Sequence, residues 1–245
     1  MTDSSSPPEA RRPLHDEPHD ASLASRLNWL RAGVLGANDG IVSTAAIVVG
    51  VAGASASRSA ILTAGLAGLF AGAMSMAAGE YVSVSTQRDT ERAMLALERR
   101  ELAETPEAEL DELTGIYRGK GLTQDLAREV AIQLTAHDAL GAHAEAELGI
   151  DPDDLTKPWH AALASFVAFT VGAVLPLLAI VLSPQSWRIG ITFGTVVVAL
   201  MLTGSLSAGL GQAARWPAVR RNVIGGVLAM LVTYGVGRAA GGLGV

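Results

Sequence analysis

Asp39 is a carboxylate inside an apolar stretch, in Gly36-Ala-Asn-Asp-Gly-Ile-Val-Ser43. A charged group at membrane depth costs roughly 2.5–3.5 kcal/mol even on the lenient insertion scale. Two local explanations exist. Asp39 could pair with Arg31 two helical turns earlier, or cap a helix broken at Asn38–Gly40. The functional alternative is a cation or proton site facing a polar pathway, which is what intramembrane acids commonly mark.

A second group lies in Met74-Ser-Met76-Ala-Ala-Gly79-Glu80. Met76 and Glu80 are four apart and share a helix face. Methionine in an apolar helix is ordinarily packing, but its thioether suits softer transition metals better than Mg²⁺ or Ca²⁺. Glu80 is either a ligand or an interfacial charge. A third group is acidic. Glu98 and Glu101 are three apart, as are Glu109 and Glu112, so each pair lies on one helix face. His143 and Glu147 stand at i,i+4. Carboxylates with an imidazole suit Fe²⁺, Mn²⁺ and Zn²⁺. The plain alternative is a solvated acidic face. His15 and His19, and the pair His137-Asp138, read as ordinary polar residues.

These side chains need elements to hold them. Five apolar stretches run over about 32–53, 61–82, 161–182, 189–210 and 219–240. Each is roughly 20 residues, the length a helix needs to cross about 30 Å of hydrocarbon. A backbone in lipid must satisfy its own hydrogen bonds, so these are helices. Pro176 is expected to bend the third. Small residues at helical spacing (Gly65, Gly68 and Gly72; Gly204 and Ala208) favour close helix contacts or a dimer seam. Residues 83–157 form an insert that reads as three amphipathic helices. The first continues from the second span to about Ala103. The second is capped by Thr105 with Pro106 at its first position, and the third runs from Thr123 to Leu148 with Gly149 as its stop. Residues 1–22 are polar and Pro-rich, a disordered tail without signal-peptide features. The domains are therefore 1–22, 23–82, 83–157 and 158–245, in an all-α membrane protein.

Charge sets the orientation. Arg26, Arg31, Arg88, Arg92, Lys157, Arg215, Arg220 and Arg221 flank one side of the spans. Arg58, Arg188 and Arg238 flank the other. The richer side is expected to be cytoplasmic, with the N-terminus and the insert inside and the C-terminus outside. Seventeen of the 24 acids lie between Asp89 and Asp154, against 8 Lys and Arg between Arg88 and Lys157. Such an excess concentrates cations locally. The net charge of −6 excludes nucleic acid as a natural partner. Without cysteine there is no disulfide, thiolate site or cysteine nucleophile. Aromatics are only 4% while half the residues are apolar, and mean hydropathy is +0.34. The Arg-heavy, Lys-poor composition points to a GC-rich bacterial genome and hence a plasma membrane.

The stretches Gly36–Ser43 and Ser75-Met-Ala-Ala-Gly-Glu-Tyr-Val-Ser83, followed by the Glu-rich insert, resemble the vacuolar iron transporter family. This resemblance covers nearly all of the chain after the tail. It implies a homodimer with five membrane helices per subunit. It also implies transport of Fe²⁺, often with Mn²⁺ or other divalent ions, away from the cytosol in exchange for protons. It places the family's membrane aspartate on Asp39, its second-helix methionine on Met76 and its insert glutamates on Glu98, Glu101, Glu109 and Glu112. Where the family pattern has a Met-Met pair and then Glu, this chain reads His143-Ala-Glu-Ala-Glu147. The final Glu is kept and the Met pair is not, so His143 is a candidate replacement ligand.

The expectation is a proton-coupled antiporter with metal sites at Asp39, Met76, Glu80, Glu98, Glu101, Glu109, Glu112, His143 and Glu147. It needs no cofactor and no catalytic residue. Zn²⁺ and Co²⁺ are further candidate ions. The competing readings are a transporter of another divalent cation, a membrane metal sensor or scaffold, and a di-iron oxidase. The last lacks its Glu-x-x-His motifs in the insert.

Overall fold

The computed structural model describes residues 21–55 and 57–243, with side chains from Gly33 onward. The expected tail falls almost wholly outside the described residues, as do His15, His19 and the side chains of Arg26 and Arg31. Every regular element among the described residues is helical. They are α1 (Ala21–Ala54), α2 (Arg58–Glu104), α3 (Pro106–Gly119), α4 (Gln124–His143), a π-helical turn (Ala144–Leu148), α5 (Pro158–Leu182), α6 (Arg188–Leu210) and α7 (Arg215–Gly242).

Five helices are long and apolar enough to cross a membrane: α1 from Gly33, α2, α5, α6 and α7. They coincide with the five apolar stretches. α1 is the central one, packed against α2, α5, α6 and α7. Its Ile41, Ala45, Val48 and Val49 join Ile61, Leu69 and Ala73 of α2, Phe169, Ala173 and Leu177 of α5, Val196 and Leu200 of α6 and Met230 of α7 in one core. Outward-facing side chains such as Val171, Leu182, Leu206 and Val236 are apolar and exposed, as a lipid-facing surface requires.

Glycine sets the closest approaches. A Cβ on Gly40 would overlap the carbonyl oxygen of Phe169, and one on Gly172 would overlap that of Ala37. α1 and α5 therefore meet backbone to backbone beside Asp39. Gly65, Gly68 and Gly72 face Leu177, Ile47 and Phe169, and Gly204 faces Val219, so this spacing serves contacts within the chain. Pro176 sits inside α5, which runs through it as one helix.

α2 has 47 residues, about 70 Å at 1.5 Å per residue. That is more than twice the thickness of the hydrocarbon layer, so its second half projects beyond the apolar bundle. There it meets α3, α4 and the π-helical turn. Glu91 accepts hydrogen bonds from the backbone N–H (3.2 Å) and hydroxyl (3.1 Å) of Thr156, tying the returning chain to α2. Tyr81 and Trp159 stack at 4.8 Å at the same end. At the opposite end Arg58 donates to the Ser183 carbonyl at 3.4 Å.

Three local expectations need correction. Residues 124–148 are not one continuous α-helix. Asp138 breaks it (φ −154°, ψ 95°), because its carboxylate accepts from the Gly141 N–H at 3.0 Å and restarts the helix as a cap would. A π-helical turn then ends it, closed by Gly149 at φ 65°. Second, Thr105 precedes Pro106 as expected, but its hydroxyl donates back to the Glu101 carbonyl at 3.1 Å instead of capping α3. Third, Thr123 makes no side-chain cap either.

Candidate metal centre and membrane cavity

Three side chains from three helices converge beyond the bundle: Glu98 of α2, Glu109 of α3 and His143, the last residue of α4. Their ligand atoms all lie within 4.8 Å of one another. His143 Nδ1 is 3.1 Å from Glu98 Oε1 and 3.8 Å from Glu109 Oε2. All three are buried, with relative exposures of 0% for His143, 3% for Glu98 and 7% for Glu109. Close as they are, Glu98 Oε1 and both ring nitrogens of His143 are aligned for no hydrogen bond. Buried polar atoms without partners cost free energy, and a divalent cation held between them would remove that cost.

The remaining acids surround this trio. Glu101 is half-buried, while Glu112 and Glu147 are exposed. Their fields reach inward. Burial pushes the Glu98 carboxyl from 4.5 up to about 7, and the charges of Glu147, Glu109, Glu101 and Glu112 add to the rise. Glu109 is raised by burial and then by Glu112, Glu101 and Glu147. Glu147 is raised by desolvation and then by Glu112 and Glu101. Burial lowers His143, against the opposing pull of Glu112. The imidazole is thus favoured in its neutral form, able to donate a lone pair. A set of carboxylates reluctant to ionise together, beside a neutral nitrogen, is a site that gains from a positive ion.

Asp39 and Met76 belong to a second place. They line one cavity of about 480 Å³ with Leu35, Asn38, Val42, Arg221, Asn222, Gly225 and Gly226. The cavity opens between α1, α2 and α7. Asn38 is held by the Thr203 hydroxyl of α6, which donates to its side-chain oxygen at 3.3 Å. Ser43 donates to the Asp39 carbonyl at 2.6 Å, one turn on. Asp39 itself is exposed. α1 runs unbroken through Asn38–Gly40, so there is no helix break for it to cap, and the side chain of Arg31 lies outside the described residues. Glu80 lies one turn beyond Met76, half-buried, and is not among the lining side chains.

Sequence reasoning missed three lining residues. Asn38 sits next to Asp39. From the sequence, Arg221 reads only as an orientation charge. Asn222 is a polar residue within the fifth apolar stretch, which was the available signal.

Residues 30–238 match the model of the VIT family. The chain belongs to the VIT family. It is 46% identical over 225 residues to a vacuolar iron transporter of Acanthamoeba castellanii, covering 91% of this chain and 83% of that protein. It is 37% identical over 220 residues to vacuolar iron transporter homolog 5 of Oryza sativa subsp. japonica, covering 89% and 84%. With vacuolar iron transporter homolog 2.1 of Arabidopsis thaliana it shares 33% over 242 residues, covering 98% and 94%. As a VIT family member with five candidate spans, it is an integral, multi-pass membrane protein.

Proposed function

We propose that this VIT family protein is a proton-coupled antiporter that moves Fe²⁺, and Mn²⁺ with it, out of the cytosol. The observation that carries this reading is the cavity shared by Asp39 and Met76. A carboxylate and a thioether from two different helices meet at an opening in an otherwise apolar bundle. That pair offers one hard and one soft donor to a passing transition-metal ion.

The cycle follows from competition for the same oxygens. The ionised carboxylate of Asp39 accepts the metal, and a proton arriving from the far side displaces it. Loss of that proton to the cytosol resets the site. The insert supplies the cargo: Glu98, Glu101, Glu109, Glu112, Glu147 and His143 form an acidic, partly buried collector at the end of α2. Glu80, between collector and cavity along α2, is an interfacial charge on the way.

A homodimer fits this scheme. A charged Asp39 exposed on the surface of one apolar subunit is costly in lipid, and a second subunit would cover it. The asymmetry of Lys and Arg supports the insert and N-terminus in the cytosol and the C-terminus outside, and the Arg-heavy, Lys-poor composition supports a bacterial plasma membrane. The names of its relatives support iron as cargo. The cycle moves ions and protons across the membrane and converts no substrate, which is the work of a transporter and not of an enzyme.

The experiment is proteoliposome flux of Fe²⁺ and Mn²⁺ with and without a pH gradient, for the wild type and Asp39→Ala. Gradient-dependent flux that disappears in Asp39→Ala is expected. Wild-type flux indifferent to the gradient would sink the antiport, and full flux in the variant would sink the role of Asp39.

A further inference from the structure

The trio of Glu98, Glu109 and His143 differs in kind from the acids around it. Glu112 and Glu147 are open to solvent and offer only oxygen. The trio is closed off, and one of its three donors is nitrogen. His143 is fully buried. It ends α4 where the π-helical turn begins, and such turns often mark functional sites. Five residues earlier, Asp138 restarts the helix that ends in His143.

The two distances from His143 are those that a coordination shell allows. Four ligands placed tetrahedrally at about 2.1 Å from an ion lie about 3.4 Å apart. The distances from His143 Nδ1 to the two carboxylates, 3.1 and 3.8 Å, fall on either side of that value. No hydrogen bond explains the approach, since Nδ1 and Glu98 Oε1 have no hydrogen-bond partner. A neighbouring carboxylate or a water would complete such a shell.

Resting on the reading that the insert binds divalent ions, we propose that this trio ranks Zn²⁺ and Co²⁺ above Fe²⁺, and Fe²⁺ above Mn²⁺, with His143 the residue that sets the ranking. Carboxylates alone are hard donors that also suit Mg²⁺, Ca²⁺ and Mn²⁺, whereas imidazole suits Zn²⁺ and the later first-row ions. One nitrogen held rigidly in the shell moves the site toward that later group. Mn²⁺, at the bottom of the order, is left to the exposed acids. Zn²⁺ would then displace iron from the trio wherever the two are equally available.

The test is a competition titration of the full-length protein in detergent micelles. Co²⁺ is followed by its visible absorption and free Mn²⁺ by its electron paramagnetic resonance signal. In the wild type, Zn²⁺ and Co²⁺ are expected to displace Mn²⁺ with a preference of at least about tenfold, and bound Co²⁺ is expected to show the intense bands of a low-coordinate site with nitrogen. His143→Gln should lose Zn²⁺ and Co²⁺ affinity on the order of 10–100-fold, at least the loss that disturbing an outer-shell partner brings, while Mn²⁺ binding changes little. Glu107→Gln, exposed on α3 and outside the collector, should keep the ranking. Should His143→Gln fail to fold, His143→Asp supplies an all-oxygen site whose preference for Zn²⁺ over Mn²⁺ should collapse. Equal affinity of the wild type for Mn²⁺ and Zn²⁺, or an equal loss of all ions in either His143 variant, would overturn the proposal even if proton-driven iron flux is intact. A retained ranking in a protein that moves no ion would uphold it while removing the transport reading.

Discussion

His143 Nδ1 lies 3.1 Å from Glu98 Oε1, yet the two form no hydrogen bond. Glu98 is on α2 and His143 is at the end of α4, so the pair brings two helices of the insert together at buried polar groups. The consequences for pH, metal and packing can be worked out from there.

The metal-free insert should lose stability as pH rises. Glu98 titrates near 7 in the folded chain against 4.5 ordinarily, so in this window the folded state holds a proton that the unfolded state has released. Its contribution is complete below about 4.5 and is lost as pH climbs through about 7. Glu109 and Glu147 shift in the same direction. His143, held below its ordinary value, works the other way as pH rises through its unfolded value, one group against three. Thermal melts in detergent, with chelator present, should show a lower midpoint at pH 8 than at pH 5. A divalent ion should reverse the trend, because binding replaces those protons. A rising midpoint under chelator would refute it.

Replacing both buried carboxylates should separate binding from folding. Glu98→Gln with Glu109→Gln should weaken metal binding by roughly 10–100-fold or more. The same variant should leave the metal-free protein at least as stable at pH 8, since two mutually repelling, desolvated acids are gone. Calorimetric titration and a melt on the same sample check both halves.

Asp39 should be indispensable to flux without being needed for folding. It is exposed, and among the described residues its side chain makes no ion pair. Asp39→Asn keeps its size and removes the charge. The variant should elute as wild type on size exclusion and show no gradient-driven transport. Arg221 shares the cavity, so Arg221→Gln should alter the rate without abolishing it, which stopped-flow uptake into proteoliposomes would measure.

The backbone contact beside Asp39 should tolerate no side chain. Gly172→Val would drive a branched chain into the Ala37 carbonyl. Overpacking of this kind costs about 1–3 kcal/mol, and here it would also displace α1 next to Asp39. A lowered melting midpoint with reduced flux is expected, while Gly190→Ala, in open space, should change neither.

Much of this was readable from the chain, and the reasons differ by element. The spans could be found because an apolar run of fixed length has one structural solution in lipid. Asp39 stood out because a carboxylate in such a run is expensive. Its cavity did not, since Asn38, Arg221 and Asn222 come from the two ends of the sequence, and a charge near a span end looks like a topology signal. The glutamate pairs were visible as helix-face neighbours, yet spacing pairs Glu98 with Glu101. The fold instead sets Glu98 against Glu109 and His143 and leaves Glu101 at the rim. Long-range convergence of that kind is a tertiary outcome. The break at Asp138 left a trace, an Asp three residues before Gly141, but helical periodicity on both sides masks it.

α2 carries Met76 and Glu98 on one unbroken helix, about 33 Å apart at the α-helical rise. A rigid rod of that length cannot fold one site onto the other. On the proposed reading, an ion released by the insert must cross that gap by free diffusion before it reaches the cavity. Capture and passage are then two separate events, and a substitution at one end of the rod can slow its own event while leaving the other untouched.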